Sequence, residues 1–294
     1  MKNDSIITDL KKPKKKSLAR DVWIRLRRNK LAVLGLIVLT LIVLASVFAP
    51  LIAPQGIDDQ DLKVRFMAPC KDYIFGTDNY GRDIFSRVLY GGRVSLSTGL
   101  ISAAIASSLG IVLGLFAGYY GKQTDMIIMR FCDILMAVPN ILLAIAIAAS
   151  LGPGIMNAMI AVSIANIPKM ARVTRAAVLS QVNMEYIEAA KSIRSSNTRI
   201  TFRHVLPNAL SPVIVMITAN VSNGIMTAAS LSFLGLGAQA PNPEWGCMLS
   251  SGRQFLRDYP WLTFFPGLAI FLVVLSLNFI GDGLRDALDP KLKN

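Results

Sequence analysis

Long runs of uncharged residues alternate with polar and basic stretches along this chain. The first run, 31–53, has 23 residues, which as a helix rising about 1.5 Å per residue crosses the roughly 30 Å hydrocarbon core of a bilayer. The longest run, 134–168, has 35 residues and is divided by Gly152, Pro153 and Gly154, because such residues break a helix and favour a hairpin. We therefore expect an all-α, polytopic membrane protein with six transmembrane helices, at about 31–53, 94–120, 126–149, 155–173, 210–236 and 260–280.

Polar segments connect the predicted spans and divide the chain into three parts. Residues 1–30 form a basic N-terminal segment, 31–281 the transmembrane domain, and 282–294 a hydrophilic tail. From Ile84 the apolar residues fall on one helical face, which predicts a short amphipathic helix at the membrane interface before the second span. The second span is rich in glycine, alanine and serine, so we expect it inside a helix bundle, where small residues let backbones approach.

Charge is distributed unevenly in this chain of 294 residues, which is 53% hydrophobic and 17% charged and has a net charge of +13. Eleven Lys/Arg stand in residues 1–30 and seven in 169–204, next to apolar runs. Such blocks follow the positive-inside rule and argue against nucleic acid as a partner. With both termini in the cytoplasm, 23 Lys/Arg belong to the cytoplasmic side, counting those inside the cytoplasmic ends of the spans, such as Arg130, and eight lie in the outer loops. The bias predicts an N-in/C-in topology with 174–207 in the cytoplasm.

The sequence lacks the motifs of common enzymes. It contains no phosphate-binding loop, no HExxH metal motif and no GxSxG nucleophile elbow, and His204 is its one histidine. We therefore expect no enzymatic activity and no catalytic, cofactor or metal site in this chain. The three cysteines form no CxxC pair, and Cys70 and Cys247, both in predicted outer loops, are expected to be unpaired thiols.

Arg130 and Asp133 lie in the third predicted span, near its cytoplasmic end. A charge inside a bilayer is costly, so such residues are candidates for a functional role. Their spacing of three residues places them on one helical face, where they can neutralise each other. We expect a local intramembrane charge pair rather than a proton relay.

The cytoplasmic segment 174–207 has helical character despite its polarity. Asn183 can cap a helix whose first turns carry Glu185 and Glu188, acids that suit the positive end of a helix dipole. Residues 195–197 then indicate a break and a second cap, before a shorter helix that we expect Pro207 to end. The pattern fits either a compact projection with a close-packing face or a surface helix lying on lipid headgroups.

A family resemblance favours the projection. Glu188, Ala189 and Ala190, followed by Ile200, Leu206 and Pro207, resemble the EAA loop of the permease subunits of ATP-binding-cassette (ABC) importers. Seven further motifs, spread in order over nearly the whole chain, resemble the dipeptide/oligopeptide/nickel branch of that family in its second-permease, dipeptide C-type form. They are FGTDNYGRD at 75–83, RVSL at 93–96, FRHVLPN at 202–208, LSFLGLG at 231–237, PEWG at 243–246, PGLA at 266–269 and GDGLRDALDP at 281–290.

The resemblance implies a type I ABC importer permease fold in the cytoplasmic (inner) membrane of a bacterium. It implies four kinds of partner: a homologous second permease, two ABC ATPase subunits, an extracytoplasmic substrate-binding protein and the lipid bilayer. ATP and Mg²⁺ would bind the ATPase subunits, since this chain carries no nucleotide site. Di- or oligopeptides are the expected cargo, with nickel, a nickel chelate or glutathione as alternatives. A secondary transporter is a more distant alternative, which would work without ATPase partners.

The resemblance also implies that 185–192 is the coupling helix, which seats in a groove of an ATPase subunit. Glu188 would reach polar or basic groups there, and Ala189 and Ala190 would allow close approach. The family usually has glycine where this chain has Arg194. If that position needs a left-handed backbone, arginine costs about 1–2 kcal/mol over glycine; otherwise the turn shifts to 195–197.

Overall fold

The computed structural model describes residues 18–288, so residues 1–17 of the predicted N-terminal segment 1–30 and residues 289–294 of the predicted tail 282–294 lie outside the described residues. Within 18–288 the chain is helical, which confirms the all-α prediction, and its β-structure is limited to one isolated bridge between Thr77 and Asp83. The α-helices are α1 (Leu18–Leu26), α2 (Lys30–Val47), α3 (Ala49–Ile52), α4 (Ile84–Tyr120), α5 (Lys122–Met136), α6 (Asn140–Leu151), α7 (Ile155–Val182), α8 (Glu185–Ser192), α9 (Asn197–Arg199), α10 (Leu206–Asn208), α11 (Leu210–Phe233), α12 (Trp245–Gly252) and α13 (Trp261–Leu288). Short 3₁₀ turns occur at Leu62–Val64 and Arg253–Phe255, and a π-helical stretch at Ile200–Val205.

Four of the described helices, α2, α4, α11 and α13, are each long and apolar enough to cross a membrane. Helices α5 and α6 together make a fifth candidate span, although they are bent by 87° at the break between them. Helix α7 has 28 residues and is long enough to cross, but Lys169 and Arg172 make it less apolar. The predicted fourth span, 155–173, lies within α7.

The expectation that a single helix forms the third predicted span, 126–149, is not met. The structure breaks this run at Ala137, Val138 and Pro139, between α5 and α6. Proline has no N–H to donate, and it disfavours a helical backbone at the residue before it, here Val138. The chain therefore turns inside an apolar run, and Asn140 begins a new helix at the bend.

The prediction of a separate interfacial helix after Ile84 is also wrong, because α4 runs without interruption for 37 residues. Asp83 caps its N-terminus by accepting a 2.8 Å hydrogen bond from the Ser86 N–H. Gly91 lies where a Cβ atom would stand 2.0 Å from the Pro243 carbonyl oxygen. The first turns of α4 are therefore packed against other parts of the chain rather than spread on a membrane surface.

A row of glycines four residues apart joins α4 to α7. Cβ atoms added to Gly110, Gly114 and Gly118 would stand 2.5 Å from the Met170 Cβ, 2.3 Å from the Ala171 carbonyl oxygen and 2.7 Å from a Val178 methyl carbon. Such spacing lets two helix backbones approach where hydrophobic driving force is weak. This contact confirms the expectation that the second predicted span lies inside a bundle.

The other long helices complete the bundle. Helix α11 contacts α4, α7 and α13, and α2 packs along α13. Gly35 of α2 comes so close to α13 that an added Cβ would lie 2.7 Å from the Ser276 carbonyl oxygen. Helix α1 also contacts α13, near its C-terminal end, where Leu26 approaches Gly283.

Arg87 ties the polar loops together at the start of α4. Its guanidinium is buried and donates to the carbonyl oxygens of Ile57 at 2.8 Å and Pro241 at 3.0 Å. Nearby, Arg82 donates to the Asp78 carboxylate at 2.7 Å. Because the donors are charged, these bonds are stronger than neutral ones, and they fix the loops 53–83 and 237–244 to one end of the bundle.

Candidate functional site

The predicted cytoplasmic segment forms a short projection that continues directly from α7. Helix α8 begins at Glu185, as expected, but its N-cap is Met184, which makes no side-chain cap bond. Asn183, the expected cap, instead ends α7, with its N–H directed to the Gln181 carbonyl oxygen. The two helices are thus separated by only two residues.

One face of α8 is buried in the protein interior. Ile187 is 0% exposed and Ala190 is 6% exposed. They pack in a cluster with residues of α4, α7 and the helical stretch that follows α8, namely Leu115, Ala177, Val178, Ile200, Val205 and Ala209. The expectation that Ala189 and Ala190 together face a partner is therefore corrected: successive helical residues are about 100° apart, so Ala190 points inward and Ala189 outward.

The opposite face of α8 is open. Glu185, Glu188 and Ala189 are exposed, so two carboxylates and a small residue share a surface without bulk to obstruct an approaching partner. Large apolar side chains are exposed around them, and Ile193 is 77% exposed. The other exposed apolar side chains of this region are Met184, Tyr186 and Phe202. Such a mixed acidic and apolar patch is typical of a protein interaction surface.

Arg194 adopts a left-handed backbone, with φ of +54°. The Arg194 N–H bonds the Lys191 carbonyl oxygen at 2.9 Å, and the Ser195 N–H bonds the Ala190 carbonyl oxygen at 3.1 Å. This pair of bonds is the Schellman ending of a helix, in which glycine is the favoured residue at the left-handed position. Of the two alternatives for this turn, the structure has the left-handed arginine, and Ser196 then caps α9.

Pro207 does not end the second helix, so that prediction is wrong. It lies in the first turn of α10, where a backbone N–H has no intrahelical partner in any case. The helical path continues with little interruption from Asn197 through the π-helical stretch to Ala209, and α11 begins at Leu210. The projection is therefore joined to the bundle by helix at both ends.

The expected pair between Arg130 and Asp133 is not formed. The Asp133 carboxylate accepts a 2.6 Å bond from Arg172 of α7, and within residues 18–288 Arg130 makes no ion pair. The α5–α7 packing brings Arg172 to Asp133, whereas a three-residue spacing alone fixes no contact. A second pair, between Asp125 and Arg175, is bidentate, with one bond of 2.5 Å.

These two pairs brace α5 against the helix that carries the projection. From the sequence, Lys169 and Arg172 were counted only as part of a basic block and not named as candidate functional residues, although both fall inside the predicted span 155–173. Their position inside the span could have identified them, because basic residues within transmembrane spans are rare and mark functional sites.

The part of the chain that the structure describes contains no group of three His, Cys, Asp or Glu residues that could hold a metal ion. Cys70 is exposed and Cys247 is buried, and both thiols are free. Burial, and next the neighbouring Glu244 carboxylate, raise the pKa of the Cys247 thiol. This cysteine is therefore poorly suited to act as a thiolate nucleophile.

Comparison with known proteins places the chain in a family. Residues 110–294 match the family model described as binding-protein-dependent transport system inner membrane component. Residues 17–69 match the N-terminal TM domain of oligopeptide transport permease C. The first match covers more than half of the chain and includes α8 and its flanking helices.

Named relatives agree over nearly the full length. The dipeptide transport system permease protein DppC of Alkalihalophilus pseudofirmus is 50% identical over 275 residues, which cover 94% of this chain and 90% of the relative. The glutathione transport system permease protein GsiD of Pectobacterium atrosepticum is 47% identical over 277 residues, covering 94% and 92%.

Among solved structures, the inward-facing MetNI methionine ABC transporter is similar in fold. The match has a TM-score of 0.55 at 19% identity and covers 69% of this chain and 96% of the other. The chain therefore belongs to the inner membrane components of binding-protein-dependent transport systems, as a permease subunit of an ABC importer whose ATPase resides in separate subunits.

Proposed function

We propose that this chain is one of two pore-forming subunits of an importer for di- or oligopeptides in a bacterial cytoplasmic membrane. An extracytoplasmic binding protein would deliver the peptide, a homologous permease would complete the pore, and two ABC subunits would hydrolyse ATP. The relatives named for dipeptide transport support the peptide assignment. Glutathione, itself a tripeptide, is the second candidate, because permeases named for it are nearly as similar.

The proposed topology has six spans with both termini in the cytoplasm. Helices α2, α4, α11 and α13 make four crossings, the bent pair α5–α6 a fifth, and α7 the sixth. The excess of Lys/Arg in the segments that this topology assigns to the cytoplasm supports it. Helix α8 then stands on the cytoplasmic side, where the ATPase subunits are.

The position of α8 is the observation that carries the mechanism. Ile187 holds the helix in the bundle, while Glu185, Glu188 and Ala189 are open to a partner. A displacement of the exposed face of α8 by a partner would therefore be transmitted to α4 and α7, since packed interiors deform little. The two ion pairs between α5 and α7 extend the rigid unit to the bent span.

Coupling then consists of a linkage between two sites. ATP-driven closure of the ATPase subunits displaces α8, and the helices attached to it tilt between inward- and outward-facing arrangements of the pore. Glu188 contributes a carboxylate that pairs with basic or polar groups of the ATPase groove. Arg194 sets the direction in which the chain leaves the helix.

The substitution Glu188→Arg tests this proposal. Because Glu188 is exposed, the variant should fold and reach the membrane in normal amounts. A like-charge contact at the ATPase interface should lower ATP-driven peptide uptake about tenfold or more. Uptake of radiolabelled peptide by cells, normalised to permease in the membrane fraction, measures the effect.

Glu188→Gln is the matched control. It keeps the shape of the side chain and removes only the charge, so its uptake should lie between those of the wild type and Glu188→Arg. Wild-type uptake by Glu188→Arg would exclude Glu188 from the coupling contact.

A further inference from the structure

A cavity of about 470 Å³, with both polar and apolar lining residues, opens at the bend between α5 and α6. Its polar lining comes from Asn140 at the bend, from Asn166 and Lys169 of α7, and from Asn223 and Thr227 of α11. The volume falls in the range of sites for small molecules. Apolar residues of the bend and of α5, such as Val138 and Met136, line the remainder, so the cavity can contact apolar side chains as well.

The surroundings of the cavity exclude lipid as its natural occupant. Asn140, Lys169 and Asn223 are exposed, yet they lie on helices that form the membrane bundle. Facing hydrocarbon, a lysine and two amides would each be costly. This face of the bundle must therefore meet water, a passing solute or another polypeptide.

Lys169 differs from the other basic residues along α7. Arg172 and Arg175, one and two turns further on, are each paired with an aspartate of α5. Beyond these pairs the chain bends, and Asn140 occupies the corresponding place, donating 3.0 Å to the Asn166 side-chain oxygen. Lys169 therefore shares the cavity with amides rather than with a carboxylate. Among residues 18–288, no ion pair includes Lys169.

We propose that Lys169 and the surrounding amides form a contact site for the transported peptide, in which the ammonium group binds the carboxylate of the passing solute. The amides of Asn140 and Asn223 can bond peptide N–H and C=O groups, which every peptide presents whatever its sequence. This inference rests on the proposed function as a peptide permease and adds the residues that meet the cargo. Asn140, Lys169 and Asn223 are exposed on the chain's surface, where a pathway shared with a second permease can include them.

The proposed site has a consequence for selectivity. An uncompensated positive charge attracts a solute with a free carboxylate and repels one with extra positive charge. The site should therefore pass acidic and zwitterionic peptides more readily than dibasic ones. Removing the charge should erase that difference without preventing assembly.

The experiment uses the complete assembly, with its binding protein, in proteoliposomes. Uptake of three labelled dipeptides, alanyl-alanine, glutamyl-glutamate and lysyl-lysine, is measured at limiting concentration for the wild type, Lys169→Gln and Lys169→Arg. We expect Lys169→Gln to lower the ratio of acidic to dibasic uptake about fivefold or more, and Lys169→Arg to preserve it. The preference of the binding protein cancels, because it is common to all variants.

Lys122→Gln is the control for charge removal, because Lys122 is an exposed lysine at the start of α5, outside the cavity. It should leave the ratio unchanged, and the amounts of co-purified subunits should be equal in all variants. An unchanged ratio in Lys169→Gln overturns the proposal. Loss of the second permease from that variant also overturns it, since Lys169 would then bind the neighbouring subunit. If the wild-type assembly takes up none of the three peptides, the proposed function itself fails.

Discussion

The contact between α4 and α7 is close enough to be disturbed by a single added methyl group. A Cβ atom at Gly114 would stand 2.3 Å from the Ala171 carbonyl oxygen, 2.7 Å from the Thr174 Cβ and 2.9 Å from the Arg175 nitrogen. Two of these three atoms belong to the backbone, which cannot rotate away. Gly114→Ala therefore forces α7 to move, and α8 with it.

The magnitude follows from two opposing effects. Overpacking a close contact costs about 1–3 kcal/mol, and the backbone contacts place Gly114→Ala in the upper part of that range. Alanine regains about 0.5–1 kcal/mol of helix stability relative to glycine. The net destabilisation should be about 1–2 kcal/mol.

Gly267→Ala is the matched control. This glycine also lies inside a long helix, α13, but an added Cβ would have only a Leu249 methyl carbon at 3.8 Å as a neighbour. The control should be neutral or slightly stabilising. Thermal unfolding of the co-purified assembly, monitored by gel filtration, should have a lower midpoint temperature for Gly114→Ala than for the wild type. For Gly267→Ala the midpoint should be unchanged or higher. A midpoint for Gly114→Ala at or above that of the wild type would refute the close packing.

Three further predictions concern the projection and the thiols. Arg194→Gly relieves a left-handed arginine and should stabilise the assembly by about 1 kcal/mol with normal uptake, seen as a raised unfolding midpoint; a lowered midpoint would contradict it. Ile187→Ala removes buried methyl groups worth about 2–5 kcal/mol and should speed proteolysis of segment 183–209, whereas an unchanged rate would argue against the buried face of α8. Cys70 should react with a maleimide in the native protein and Cys247 only after unfolding, and a mobility shift on reduction would reveal a disulfide instead.

Much of the architecture is predictable from the sequence because uncharged runs have the length that a bilayer requires. The bend in the third span is an instructive exception. Pro139 gave a local signal for it, but the apolar run continues through the bend, so composition alone favours one straight helix. The break is predicted only if Pro139 is given more importance than the continuity of the apolar run.

In the candidate site, too, some features follow from the local sequence and others from the packing of distant helices. The bounds of α8 agree with the predicted coupling helix, because acids in its first turn are a local pattern. The partner of Asp133 depends on how α5 lies against α7, and no spacing in the sequence encodes that crossing. The inward turn of Ala190 likewise follows from the way α8 is seated, since its neighbour Ala189 is chemically identical.

We propose that this permease couples ATP hydrolysis in other subunits to the passage of a delivered peptide. The most direct test is the ATPase activity of the co-purified assembly in lipid, with and without its peptide-loaded binding protein. We expect hydrolysis to be stimulated by the peptide-loaded binding protein, and the stimulation to be lost in Glu188→Arg. Flux of peptide through the chain alone, with no ATPase co-purifying, would contradict this coupling and favour a secondary transporter.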